Sequence, residues 1–201
     1  MALTLRNPFA AFRQAIAPQA SFARPALGDT VVPWLGRFRG TDDTIKLMLQ
    51  YARGTEGEQN VVVRQWADSI IRQLRPKDYL GEIIAIRQWC TAPHLRYTND
   101  ARHVEQVKSP FRTLSEVSTY GVSNLDCDDY ALLIATLGMC VGREARFTMV
   151  GFGMPGDYTH VFACLKEPRS SEWIICDPVA GTREYEMAST CKTFKHISVD
   201  D

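Results

Sequence analysis

Apolar residues recur at helical spacing through the first half of the chain and at strand spacing through the second. After an opening stretch without sustained period, Ile45, Met48, Leu49 and Ala52 share one helical face. Asp42 or Asp43 is placed to cap that helix, and Gly54 to end it. Val62, Val63, Trp66, Ala67, Ile70 and Leu74 mark a second helix that Pro76 stops. A third runs from about Asp78 to Cys90, with Leu80, Ile83, Ile84 and Arg87 as its stripe and edge, and Pro93 ends it. Leu95-Arg96-Tyr97 reads as a short strand. Residues 98–122 read as a long connection punctuated by Pro110 and Gly121; a loop of that length is functional or carries short elements of its own. A fourth helix begins near Asp126, with Tyr130, Ala131, Ile134, Leu137 and Val141 on one side and Gly142 at its stop. The period then shortens to two, over residues 145–150, 158–166 and 173–177. Helices first and strands later predict an α+β fold. The organisation expected is an extended N-terminal arm over 1–40, a domain over 41–190 and a C-terminal tail over 191–201.

Composition narrows the function classes. The 201 residues are 45% hydrophobic and 23% charged, which is enough for one ordinary core. Lys and Arg together number 23, as do Asp and Glu, so net charge favours neither nucleic acid nor an anionic membrane. No apolar run approaches the roughly 18 residues that cross a bilayer. Six cysteines stand at 90, 127, 140, 164, 176 and 191, without a C-x-x-C pair, which argues against zinc-ribbon and thioredoxin chemistry. Buried free thiols are expected at Cys90, Cys140 and Cys176, in a reducing compartment. The first 28 residues carry Arg6, Arg13 and Arg24 and no acid. That composition suits a mitochondrial transit peptide, but Pro8, Pro18 and Pro25 favour an arm ordered only where something holds it.

The candidate chemistry lies in the second half. Asn124-Leu125-Asp126-Cys127-Asp128-Asp129-Tyr130-Ala131 sets a cysteine at the start of an apolar helix. Free N–H groups and the helix dipole at an N-terminus favour a thiolate, whereas Asp126, Asp128 and Asp129 oppose it. His160 follows in a strand-like run, Thr159-His160-Val161-Phe162-Ala163, and Asp177 closes another, Trp173-Ile174-Ile175-Cys176-Asp177-Pro178. Between the two runs, residues 167–171 read as a hairpin loop. If His160 faces Asp177, paired residue numbers sum to 337 and Cys164 faces Trp173. Alternation then puts His160, Phe162, Cys164, Trp173, Ile175 and Asp177 on one face and Cys176 on the other. A thiol, an imidazole to take its proton and a carboxylate to orient the imidazole are the parts of a cysteine nucleophile. The thioester so formed can pass to water or to an amine, and the residues do not choose.

The D-C-D-D-Y-A block, the H-V-F strand and the W-I-I-C-D-P strand, in this order and at these intervals, resemble the transglutaminase-like superfamily of papain-type cysteine enzymes. Upstream, residues 41–74, Leu80-Gly81-Glu82-Ile83, Arg96-Tyr97-Thr98-Asn99-Asp100 and residues 104–114 are similar to small single-domain members found in tailed phages and prophages. The resemblance covers roughly residues 41–187. It implies a papain-like core, its N-terminal helices and nucleophile helix packed on an antiparallel sheet, with Cys127, His160 and Asp177 as the triad. It also implies a protein or peptide substrate and no cofactor or metal. The backbone N–H of Cys127 is the expected oxyanion donor. Two positions depart from the family: Leu125 stands where glycine is usual, and Lys108 where glutamine is frequent, with Gln106 nearby as a substitute donor. A second reading from the same resemblance is a virion structural or assembly protein whose arm docks on neighbouring subunits. Either role implies the bacterial cytoplasm during phage production and the virion; mitochondrial import is the remote alternative.

Other features have plainer readings. Asp126, Asp128 and Asp129 lack the glycine and distal glutamate of an EF-hand loop and read as helix caps. His94, His103 and His196 show no ligand spacing, and Trp66, Trp89 and Trp173 fit apolar faces. Residues 151–156 are glycine-rich but lie between two strands, unlike a phosphate-binding loop.

Overall fold

A computed structural model describes residues 40–100, 106–154, 158–179 and 191–200, all within one compact unit of the chain, Pro33–Asp201. Five helices and six strands are described: α1 Gly40–Arg53, α2 Val61–Ile71, α3 Tyr79–Cys90, β1 Leu95–Tyr97, α4 Pro110–Tyr120, β2 Ser123–Leu125, α5 Cys127–Cys140, β3 Ala145–Gly151, β4 His160–Lys166, β5 Trp173–Cys176 and β6 Thr193–Ser198. The fold is α+β, with the helices gathered on an antiparallel sheet of order β5-β4-β3-β6.

Local chemistry starts each helix. Asp42 and Asp43 lie in the first turn of α1, where the dipole favours acids. Asn60 caps α2 by accepting from the Val62 amide at 2.9 Å, and Asp78 caps α3 by accepting from the Gly81 amide at 3.1 Å. The buried stripe of α3 is Ile83, Ile86, Trp89 and Cys90, whereas Leu80 and Ile84 are exposed, so the helix is rotated from the expected face. The expected long connection contains α4. Ser109 caps it from the N-cap position, Pro110 fills the first turn, and Gly121 ends it at φ 77°, which glycine adopts without strain.

The axis of the fold is α5. Its residues from Asp128 to Gly138 are buried, and it packs on α1–α4 and on β3 and β4. A helix enclosed on every side is apolar all round, so the single stripe read from sequence understates its burial. Gly138 lets the helix approach the sheet: a Cβ there would lie 2.4 Å from Leu165 Cδ2. Residues Ala163 and Leu165 therefore face α5, and their alternates, Phe162 and Cys164, face the opposite side with Trp173 and Ile175.

Two sequence expectations are corrected. The β4–β5 register pairs Ala163 with Cys176 and Cys164 with Ile175, two residues from the expected one. The cause is the loop. Glu167 and Ser170 shape a four-residue turn over 168–171, closed where the Glu167 amide donates to the Glu172 carbonyl at 2.8 Å. A shift of two preserves the face of every side chain. The expected tail also takes structure: residues 193–198 form β6, paired with β3 through Phe147↔Ile197 and Thr148↔His196. The Arg53 guanidinium further ties α1 to this segment, donating to the Val199 carbonyl at 2.6 Å. The expected N-terminal arm, apart from Gly40, lies outside the described residues.

Candidate active site

Cys127 is the first residue of α5 and is half-buried. β2 delivers the chain to this point. It pairs in parallel with β1, Tyr97 opposite Leu125, and the Thr98 amide donates to the Leu125 carbonyl at 2.9 Å. Leu125 is buried and packs in the core, so the position where glycine is usual in the resembling family is occupied here by an anchor. Asp126 caps α5, accepting from the Asp129 amide at 3.4 Å, and Asp128 accepts from the same amide at 2.8 Å.

Burial, and then the charge of Asp126, hold the Asp129 carboxyl well above the usual range, although the Lys108 amide donates to it at 2.6 Å. A group raised in this way is most compatible with folding below about pH 4, and its burial becomes a penalty as pH climbs through the folded value. Asp129→Asn keeps an acceptor for the Lys108 amide and removes the charge. It is expected to raise the Tm at pH 7 by roughly 2–4 °C, with the gain vanishing near pH 3.5. Thermal unfolding across that range checks it; a lower Tm at pH 7 would show the charged form to be stabilising.

His160 opens β4, and Asp177 follows the last residue of β5. The two are in contact, His160 Nε2 to Asp177 Oδ2 at 2.7 Å, with side chains 13% and 1% exposed. The other Asp177 oxygen accepts from the Val179 amide at 2.9 Å, so the carboxylate is held from both sides. With Nε2 given to the carboxylate, Nδ1 is the ring nitrogen left for a proton from elsewhere. The Tyr97 pKa is raised by burial and then by the negative charges of Cys127, Asp126, Asp128 and Asp177.

Beside the helix tip is a cleft of about 250 Å³ lined by Thr98, Asn99, Asp100, Gln106, Lys108, Asn124, Asp126 and Asp129. Gln106 lies in it, with its backbone amide held by Asp100 at 2.5 Å. Burial raises the Asp100 carboxyl, against the pull of that amide. The Lys108 ammonium donates to Asn124 O at 2.6 Å, Glu116 Oε2 at 2.9 Å and Ser123 Oγ at 3.3 Å. One oxygen each from Asp126, Asp128 and Asp129 falls within 4.8 Å of the others. Three ligands are few for a calcium site, which takes six to eight oxygens, and the contacts drawn here are those of a helix cap.

The remaining thiols are placed apart. Cys90, Cys164 and Cys176 are buried, and burial pushes Cys90 and Cys164 up. Cys140 is half-buried and pushed up to about 11, again by burial first. The expectation of buried thiols is met at Cys90 and Cys176. Of the histidines given plain readings, His94 packs on Trp89 with its pKa lowered to about 4 by burial, and His196 bonds Thr148 Oγ1 at 2.9 Å. His103 lies outside the described residues.

Among the described residues, no helix is long and apolar enough to cross a membrane. No protein-family model matches the chain, and no curated protein matches it. Among solved structures, the chain is similar to one described as a "Putative Cysteine Protease from Cytophaga hutchinsonii", at 16% identity and a TM-score of 0.46. The match covers 77% of this chain and 56% of that one, so the chain spans little more than half the length of this neighbour.

Proposed function

We propose that the protein is a cysteine acyl-transfer enzyme acting on amide bonds of a protein or peptide, built on the transglutaminase-like variant of the papain fold. Cys127 is the nucleophile, His160 its base and Asp177 the residue that orients the base. The observation that carries this reading is the His160–Asp177 pair: a buried carboxylate fixed by Val179 and bonded at 2.7 Å to an imidazole.

The Cys127 thiol gives its proton to His160 Nδ1, and the sulfur attacks the substrate carbonyl carbon. The amide N–H of Cys127 faces the resulting oxyanion at the helix N-terminus. Collapse breaks the C–N bond, the amine leaves with the proton from Nδ1, and a thioester remains. Water then gives hydrolysis and a second amine gives transamidation.

Selective alkylation tests the reading. Iodoacetamide near pH 7 is expected to label Cys127 at least about 10-fold faster than any other thiol, as a thiol of depressed pKa reacts. Burial protects Cys90, Cys164 and Cys176, and the raised pKa slows Cys140, so Cys191 is the competitor that peptide mapping must resolve. Labelling of Cys127 no faster than Cys191 would sink the proposal.

A further inference from the structure

The parallel β1–β2 pair sets Tyr97 across from Leu125, two residues before Cys127, so Tyr97 stands beside the chain as it turns into α5. Tyr97 is 47% exposed, and the three residues that follow it, Thr98, Asn99 and Asp100, line the cleft. Its hydroxyl donates to Asn99 Oδ1 at 2.9 Å. Asn99 is a solvent-exposed local acceptor, from which the hydroxyl can turn at little cost.

A tetrahedral adduct on Cys127 places negative charge on the former carbonyl oxygen, and one backbone N–H leaves that oxygen short of donors. The Lys108 ammonium is committed to Glu116, Ser123 and Asn124. Building on the reading of Cys127 as an acyl-transfer nucleophile, we propose that the Tyr97 hydroxyl is the second oxyanion donor. It leaves Asn99 as the substrate carbonyl enters and strengthens its hydrogen bond as charge develops. The hydroxyl keeps its proton throughout, so the negative charge stays on the substrate oxygen until the amine departs. Burial, and then the negative charges of Cys127, Asp126, Asp128 and Asp177, raise the phenol's pKa and favour such a neutral donor.

The test compares a reaction that forms an oxyanion with one that does not. p-Nitrophenyl acetate acylates a thiol through a tetrahedral intermediate; iodoacetamide alkylates it by displacement at saturated carbon. Tyr97→Phe is expected to slow acylation of Cys127 by roughly 10- to 100-fold, within what one donor supplies, and to change alkylation by less than about 2-fold. Acylation at the wild-type rate overturns the assignment. So does an equal fall in both reactions, which would place Tyr97 in thiol activation. Gln106→Ala is measured in parallel, and a loss of acylation there with none in Tyr97→Phe gives the role to Gln106. Should Cys127→Ala acylate as fast as the wild type, the acyl-transfer reading itself fails and the Tyr97 assignment falls with it. The substitution removes one exposed hydroxyl, and an unchanged Tm confirms that folding is intact.

Discussion

Asp177→Asn is expected to slow thioester formation by on the order of 10³-fold while leaving the nucleophile in place. The carboxylate serves two donors at once, His160 Nε2 at 2.7 Å and the Val179 amide at 2.9 Å. An amide has one acceptor oxygen. If that oxygen keeps Val179, the NH₂ group faces Nε2, and the imidazole must turn its proton to Nδ1. That nitrogen is the one required to receive the thiol proton, so the base is held in the wrong tautomer. If the oxygen instead keeps Nε2, the Val179 amide loses its partner and the turn after β5 loosens. At 1% exposure the side chain has no water to compensate, and either arrangement destabilises the protein by about 1–3 kcal/mol. Burst acylation by an activated ester and thermal unfolding measure the two effects separately. A rate within 10-fold of wild type would show that Asp177 only pins a turn.

The parts of this site that were legible in the sequence are those set by short-range chemistry. Asp126 before an apolar run predicts a helix start at Cys127, because a capping carboxylate and buried leucines act over one or two turns. Alternation along 160–166 and 173–176 places His160 with Phe162 and Cys164, and Asp177 with Ile175, on one face, and the two-residue error in register does not alter it. That error arose from a turn whose length depends on how the Glu167 side chain meets the Ser170 amide, a detail no periodicity carries. The helix α4 was missed for another reason. Its apolar face is narrow, with Pro110, Thr113 and Leu114 buried, so the pattern is weak. The Ser109-Pro110 cap and the Arg112–Glu116 pair at i,i+4 were the signals available. β6 was illegible because its residues alternate poorly: Phe194 is exposed, and its pairing with β3 is a long-range contact. Tyr97 and Lys108 likewise gain their meaning only from what the folded chain sets beside them.

Lys108→Met is expected to destabilise the protein by about 1–3 kcal/mol, between the ranges for an exposed and a fully buried ion pair. The ammonium is 12% exposed and Glu116 is 16% exposed, and the pair closes at 2.9 Å. Burial pulls the Glu116 carboxyl upward, but Ser123, Lys108 and Arg112 together outweigh it and leave its pKa below the usual value. A depressed carboxylate contributes stability above its unfolded pKa of about 4.3 and loses it as pH falls through the folded value. The penalty of Lys108→Met is therefore full at pH 7 and shrinks in acid, and Lys108→Met combined with Glu116→Gln is less destabilised than Lys108→Met alone. The same lysine also grips the approach to the nucleophile. Its ammonium holds the Asn124 carbonyl at 2.6 Å, and its amide holds Asp129 in the first turn of α5. Losing the ammonium's hold on Asn124 lets the β2–α5 turn move, so acylation of Cys127 falls along with stability, while the backbone amide still holds Asp129. Denaturant unfolding at pH 7 and pH 4, with a double-mutant cycle across Lys108 and Glu116, measures the coupling. A coupling near zero, or a single variant within about 1 kcal/mol of wild type, would mean that the lysine is a surface charge. The clamp would then have to be sought in the Asp129 contact alone.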